Sequence, residues 1–226
     1  MKKRKIEKQC EANGISYEKI EMKREDGKWI HQGILYSNPE RAALSFYESQ
    51  GYIGAYCEGR ALFLLYKTMM LGFLYSINTF NDRNDAIRRY FEAQCSIHSD
   101  KEEQFIQALE WANEILIVNN FNEIYEDDFV RSVHPGLTGE ILVEIFRASG
   151  KEMLTDIFKI FFSDPYKYRS GWPDLTLAKD NKLYFVEVKT TDALHEAQFN
   201  VINEIIKPLE LSFSVTMLVP EFEGRQ

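Results

Sequence analysis

Two patterns of apolar and polar positions divide the chain near residue 164. Before it, apolar residues recur at helical spacing; after it, short runs of β-formers alternate with turn residues. Asn38 is placed to cap a first clear helix, Pro39 suits its opening turn, Glu40 suits the positive end of its dipole, and Ala43, Leu44, Phe46 and Tyr47 make its apolar face up to Gly51. After Gly54 and Gly59 a strongly apolar helix is expected from Ala61 to about Leu74, with Leu62, Leu65, Tyr66 and Met69 in register. Further helices are expected over Asp85–Ser96, Lys101–Val118, Gly139–Ala148 and Glu152–Phe162, with turns at Asn119-Asn120 and His134-Pro135-Gly136. Leu175–Ala178 and Leu183–Lys189 then read as strands joined by a hairpin turn at Lys179-Asp180-Asn181-Lys182. A helix from Ala193 to about Lys207, capped by Asp192, and a last strand from Ser212 to Val219 follow. Residues 1–37 show little periodicity and read as short elements or an appended arm. Residues 38–226 are expected to form one domain, helical to 164 and β-β-α-β from 165.

Composition fits one domain with a full core. The chain has 226 residues, 45% of them hydrophobic and 14% aromatic, so neither disulfides nor metal staples are needed to hold it. Cys10, Cys57 and Cys95 are odd in number and widely spaced, which fits reduced thiols and no zinc motif. The most apolar stretch, Ala61 to Ile77, contains Lys67 and Gly72 and falls short of the roughly 20 residues of a membrane span. Met1-Lys2-Lys3-Arg4-Lys5 is followed by Ile6-Glu7-Lys8-Gln9 and lacks the apolar core of a secretory signal. A soluble intracellular protein is expected. The formal charge of −8 weighs against a polyanionic partner, but residues 1–28 total +3 while the other 198 total −11. A local basic groove remains compatible with that balance, with modest and salt-sensitive binding.

Candidate chemistry concentrates on the hairpin. Asp174 stands at the start of its first strand, and Glu187 and Lys189 stand two apart near the end of its second. Period two puts Glu187 and Lys189 on one face, and antiparallel pairing brings Asp174 alongside. An inward Glu in the apolar run Leu183–Val188 is costly unless it meets a cation or hydrogen-bond donors. Two carboxylates, with the Val188 carbonyl as a third oxygen, suit Mg²⁺ or Mn²⁺ better than zinc. Such an ion could polarise a phosphodiester and activate water, with Lys189 orienting that water or stabilising charge. An ordinary surface Glu–Lys pair of little energetic weight is the competing reading of the same spacing.

The surrounding residues shift that balance. Gly171-Trp172-Pro173-Asp174-Leu175, Phe185-Val186-Glu187-Val188-Lys189, and then Asp192, Leu194 and Gln198 resemble the virus-type replication-repair nuclease (VRR-NUC) domain of the PD-(D/E)XK superfamily, over roughly residues 169–219. Upstream, Ala43-Leu44-x-Phe46-Tyr47 to Gly51 and Tyr56-Cys57-Glu58-Gly59 are similar to the segment that precedes the nuclease motif in Fanconi-associated nucleases. The resemblance implies a restriction-endonuclease-like α/β core, a small mixed sheet beneath a largely helical N-terminal layer. It also implies metal-dependent hydrolysis of DNA at flaps, ends or branches, with a repair role as one setting. It makes Glu58 a further metal ligand and sets Gln198 toward the scissile phosphate or the attacking water. Thr190 and Ala193 stand where the family commonly has Gly and a basic residue, which leaves Arg169, Lys167 and Arg60 as candidate DNA contacts. Trp172 and Tyr168 are expected in the core more than stacked on a base, and the four histidines receive no catalytic role. A non-catalytic nucleic-acid-binding module and a restriction-like duplex endonuclease are the rival readings.

Overall fold

A computed structural model describes residues 4–221. Seven strands among them form one mixed sheet: β1 (Ser16–Glu25), β2 (Lys28–His31), β3 (Ile34–Tyr36), β4 (Ile53–Tyr56), β5 (Leu175–Lys179), β6 (Lys182–Lys189) and β7 (Ser212–Pro220). Their order is β3-β2-β1-β7-β6-β5-β4. β7 runs parallel to both β1 and β6, and the other neighbours are antiparallel. The β5–β6 hairpin turns at Asp180 and Asn181, whose φ values of 49° and 57° give the doubly left-handed turn that favours Asp and Asn.

Side-chain alternation divides the sheet into two faces. Leu175, Leu177, Val186, Val188 and Leu218 pack on helix α2 (Pro39–Ser49), through Ala42, Ala43 and Tyr47. Leu183, Phe185, Val215 and Met217 point the other way, into a larger core with the remaining helices. The centre of that core is α3 (Arg60–Ser76), flanked by α4 (Arg83–Arg88), α5 (Phe91–Ile97), α6 (Glu102–Trp111), α7 (Glu114–Tyr125), α8 (Asp128–Val133) and α9 (Gly139–Ser163). Glu187 and Lys189 share parity with Phe185, so both charged groups look toward this helical layer. No helix among the described residues is long and apolar enough to cross a membrane. All three cysteines are free and buried.

Several boundaries differ from expectation for local reasons. Of the segment read as short elements or an arm, α1 (Lys5–Ala12) is helical, and residues 16–36 supply three strands. β1 pairs with β7 from Ser16 to Met22. Its buried positions are few, Ile20 and Met22, so its alternation is too brief to stand out. β4, Ile-Gly-Ala-Tyr, is four residues long with a Gly-Ala centre poor in strand propensity, and it is held by pairing with β5. The helix expected over Asp85–Ser96 is two, α4 and α5, because Lys67 Nζ donates to the carbonyls of Ile87 and Arg89, 2.6 Å each, and holds the chain open between them. The break expected at Asn119-Asn120 falls instead at Ala112-Asn113, where Asn113 caps α7 by accepting from the Leu116 N–H at 3.0 Å. Asn120 is buried and donates to the Thr68 carbonyl at 2.7 Å. The two helices expected within 139–162 are both present, as the two arms of α9 on either side of Gly150, whose φ of 68° and ψ of 164° are not helical.

The helix after the hairpin, α10 (Glu196–Val201), starts later than Ala193 and continues as a π-helical turn through Ile206. Its cap is His195, not Asp192. The residues before it are held extended from outside: Gln9 on α1 accepts from the Leu194 N–H at 3.0 Å and donates to the Leu194 carbonyl at 3.4 Å.

Candidate active site

The last paired residues of the hairpin, Leu175 and Val186, fix what lies one step beyond them. Asp174 comes to stand opposite Glu187 on the face that looks into the helical layer. The Asp174 side chain turns back on the sheet and accepts from the Val188 N–H at 2.8 Å. A residue's N–H and C=O point to the same side of a strand, so the Val188 carbonyl is directed toward Asp174 as well. Glu187 is only 2% exposed and Lys189 8%, with Lys189 Nζ 2.8 Å from Glu187 Oε1.

Burial sets the electrostatics of this group. It raises the Asp174 carboxyl, helped by the facing charge of Glu187 and opposed by the Val188 N–H, to about 8. Glu187 is also raised by burial, against the pull of Lys189 and Gln198. Two desolvated carboxyl groups with one ammonium, held against Glu187, make a site that favours added positive charge.

Gln198 completes the cluster. Its Oε1 accepts from the His195 N–H at 2.9 Å, which turns the amide nitrogen toward Glu187, to which it donates. Gly171 makes this placement possible. Its φ is +87°, and a Cβ there would lie 2.1 Å from the Ala197 carbonyl oxygen, so only glycine lets the Asp174 segment pass under the first turn of α10. Gly59 has the same role on the other side, at φ +79° and against the Trp172 ring. Trp172 is buried between Phe63 and Phe185 and donates to the Tyr168 carbonyl at 2.7 Å, a packing role in line with its sequence context.

The remaining candidates are distributed unevenly. Glu58 and Cys57 both donate their N–H groups to the Asp174 carbonyl, at 3.3 and 2.9 Å, so the end of β4 is tied to the site. The Glu58 side chain lines the same cleft but is half exposed, 3.8 Å from Arg60. Among the described residues no three His, Cys, Asp or Glu side chains gather into a metal-holding group, so Glu58 does not close up with Asp174 and Glu187. Arg60 and Arg169 line the cleft, Arg60 also donating to the Val133 carbonyl at 2.9 Å. Lys167 lies outside it, ion-paired with Glu204 near the Tyr168 hydroxyl.

The cleft measures about 580 Å³ and extends well past the carboxylates. Its far wall is made by Arg88, Tyr90, Phe129 and His134, none of which sequence reasoning selected. Their signal is weak because they come from two short helices and a turn that meet only in the folded chain.

Neither a protein-family model nor any curated protein matches the chain. Solved structures do. A crystal structure of paFAN1 bound to 5′-flap DNA with a two-nucleotide flap and a gap overlays at a TM-score of 0.65 with 15% identity, covering 93% of this chain and 38% of that one. A second, with a one-nucleotide flap, overlays at 0.63 with 16% identity, covering 92% and 38%. The chain thus spans little more than a third of the length of the paFAN1 chains. At such low identity the overlay establishes the architecture: the mixed sheet and its helical layer are an α/β fold of the kind found in that part of paFAN1.

Proposed function

We propose that the chain is a divalent-metal-dependent nuclease that hydrolyses DNA phosphodiester bonds at flap, end or branched structures. The observation that carries this reading is the convergence of buried Glu187 and Lys189 with half-buried Asp174 and Gln198 in a cleft whose walls bear Arg60, Arg88 and Arg169. The shared fold with paFAN1, which was crystallised on 5′-flap DNA, supports DNA of that class as the partner.

In this reading Asp174 and Glu187, with the Val188 carbonyl, hold Mg²⁺ or Mn²⁺. Their oxygens are hard donors, and few enough that water fills the other positions. When bound, such an ion polarises the phosphodiester and lowers the pKa of the attacking water. Lys189 places its ammonium beside Glu187 and stabilises negative charge that builds on the phosphate. Gln198 donates to the same Glu187 oxygen that Lys189 meets and so fixes the carboxylate, as the outer partners of metal-ligating carboxylates do. Glu58 is left as the partner of Arg60, and Arg60 and Arg169 position the DNA backbone.

The test is cleavage of end-labelled 5′-flap, splayed-arm and duplex DNA with Mg²⁺, Mn²⁺ or EDTA, for the wild type and Asp174→Ala. Metal-dependent cutting of the flap or splayed substrate, lost in the variant, is expected. Binding without cutting would leave a non-catalytic module, and cutting of intact duplex alone would leave a restriction-like enzyme.

A further inference from the structure

Besides the carboxylates, the α4–α5 break and α8 line the cleft, and they add aromatic rings to its charged groups. Tyr90 and Phe129 stand there 52% and 42% exposed, their ring centroids 6.0 Å apart and their planes 68° from each other. Neither ring belongs to the buried core. Both are nevertheless held firmly. Tyr90 follows the turn that the buried Lys67 ammonium fixes through the carbonyls of Ile87 and Arg89, and Arg88 ties that turn to the start of α8 through Asp127 at 2.7 Å. A buried lysine and an ion pair therefore hold two half-exposed aromatic rings, packed edge to face, on the cleft that holds Asp174 and Glu187.

We propose that Tyr90 and Phe129 form a stacking site for an unpaired nucleobase beside the scissile phosphate. The inference rests on the cleft being that of a DNA nuclease and goes further, because it makes a single-stranded nucleotide part of what the site recognises. Every base has a π-face that an aromatic ring can cover, so such a site tolerates sequence, whereas a base inside a duplex is already stacked and cannot reach it. Arg88 and Arg169 on the same cleft supply positive charge for the flanking phosphates. The consequence is selection for frayed, flap or splayed DNA at the site itself.

Binding in EDTA tests this without catalysis. The probe is a 5′-flap duplex with 2-aminopurine as the first unpaired base, bound by the wild type, by Tyr90→Ala/Phe129→Ala and by Tyr90→Phe. Stacking should quench the probe in the wild type and in Tyr90→Phe but not in the double alanine variant. Affinity for the flap should fall about 5- to 150-fold in the double variant, the range lost with a base–aromatic stack, while affinity for paired duplex changes less than about twofold. Replacing the unpaired base with an abasic residue should weaken the wild type by a similar factor and leave the double variant unchanged. Equal losses on flap and duplex, or no loss on either, would overturn the stacking site. Wild-type cleavage in Mg²⁺, measured in parallel, separates this failure from that of the nuclease reading: cutting that persists in the face of an unaltered probe sinks only the stacking site, and absence of both binding and cutting sinks both.

Discussion

At Asp174 burial and the facing Glu187 lift the carboxyl to about 8, well above the ordinary carboxylate range. The folded chain therefore holds a proton at pH values where the unfolded chain has released it, and stability contributed by this group is lost as pH rises toward 8. Asp174→Asn keeps an oxygen for the Val188 N–H and removes the buried charge. We expect the variant to melt higher than the wild type at pH 8 in EDTA, by about 2–4 °C for each kcal/mol recovered, with the gap closing toward pH 5. Mg²⁺ or Mn²⁺ should raise the melting point of the wild type and not that of the variant. A variant that melts lower at pH 8 would show that the carboxylate is not held at a cost. The same residues explain what was legible in the chain. Asp174, Glu187 and Lys189 could be read because strand alternation puts the last two on one face, hairpin pairing brings Asp174 opposite them, and the residues around them carry the resemblance. The ion pair of Lys167 could not, because its partner, Glu204, is chosen by side-chain reach in the folded molecule, and the place of Glu58 on the cleft came from the resemblance and not from periodicity.

Elements ended where tertiary groups captured their backbone, and that is why helix boundaries were harder to read than helix content. Lys67 splits α4 from α5, and Gln9 keeps Leu194 out of α10; both act across long stretches of sequence. The α8 terminus shows a related device. His134 follows α8, its carbonyl accepts from the Tyr125 hydroxyl at 3.0 Å, and its Nδ1 is buried without a partner among the described residues. Burial first, then the charges of Lys67 and Arg60, push its imidazole down to about 4 from 6.5. Between those values the unfolded chain takes up a proton that the folded one refuses, so stability falls as pH drops from 6.5 to 4. The effect is worth up to about 3 kcal/mol at the acid end. Melting curves across this range should fall less steeply for His134→Phe than for the wild type, whatever the absolute stability of the variant. Parallel slopes would place the acid sensitivity elsewhere.

For the molecule as a whole, the N-terminal segment and the charge distribution set how the chain stands and binds. β7 is buried along its middle, with Val215 and Met217 fully covered, and it has β1 on one side and β6 on the other. Removing residues 1–37 would strip β1 from β7 and take Gln9 from Leu194. A chain that starts at residue 38 should accordingly show no cooperative melt, while Gln9→Ala should still fold; a well-folded truncated chain would show that the sheet closes without β1. Charge then limits binding. The net charge is −8, and the cleft offers three arginines, of which Arg88 is committed to Asp127 and Arg60 stands near Glu58. Each phosphate neutralised on duplex DNA contributes a slope of about −0.9 to the dependence of log K on log salt. Two or three such contacts predict a slope of roughly −2 to −3, and Arg169→Ala should flatten it by about 1. A slope steeper than about −6 would require phosphate contacts far outside the cleft. The basic excess of residues 1–28 is the place to look for them, and neutralising Lys23, Arg24 and Lys28 together would then restore the shallow slope.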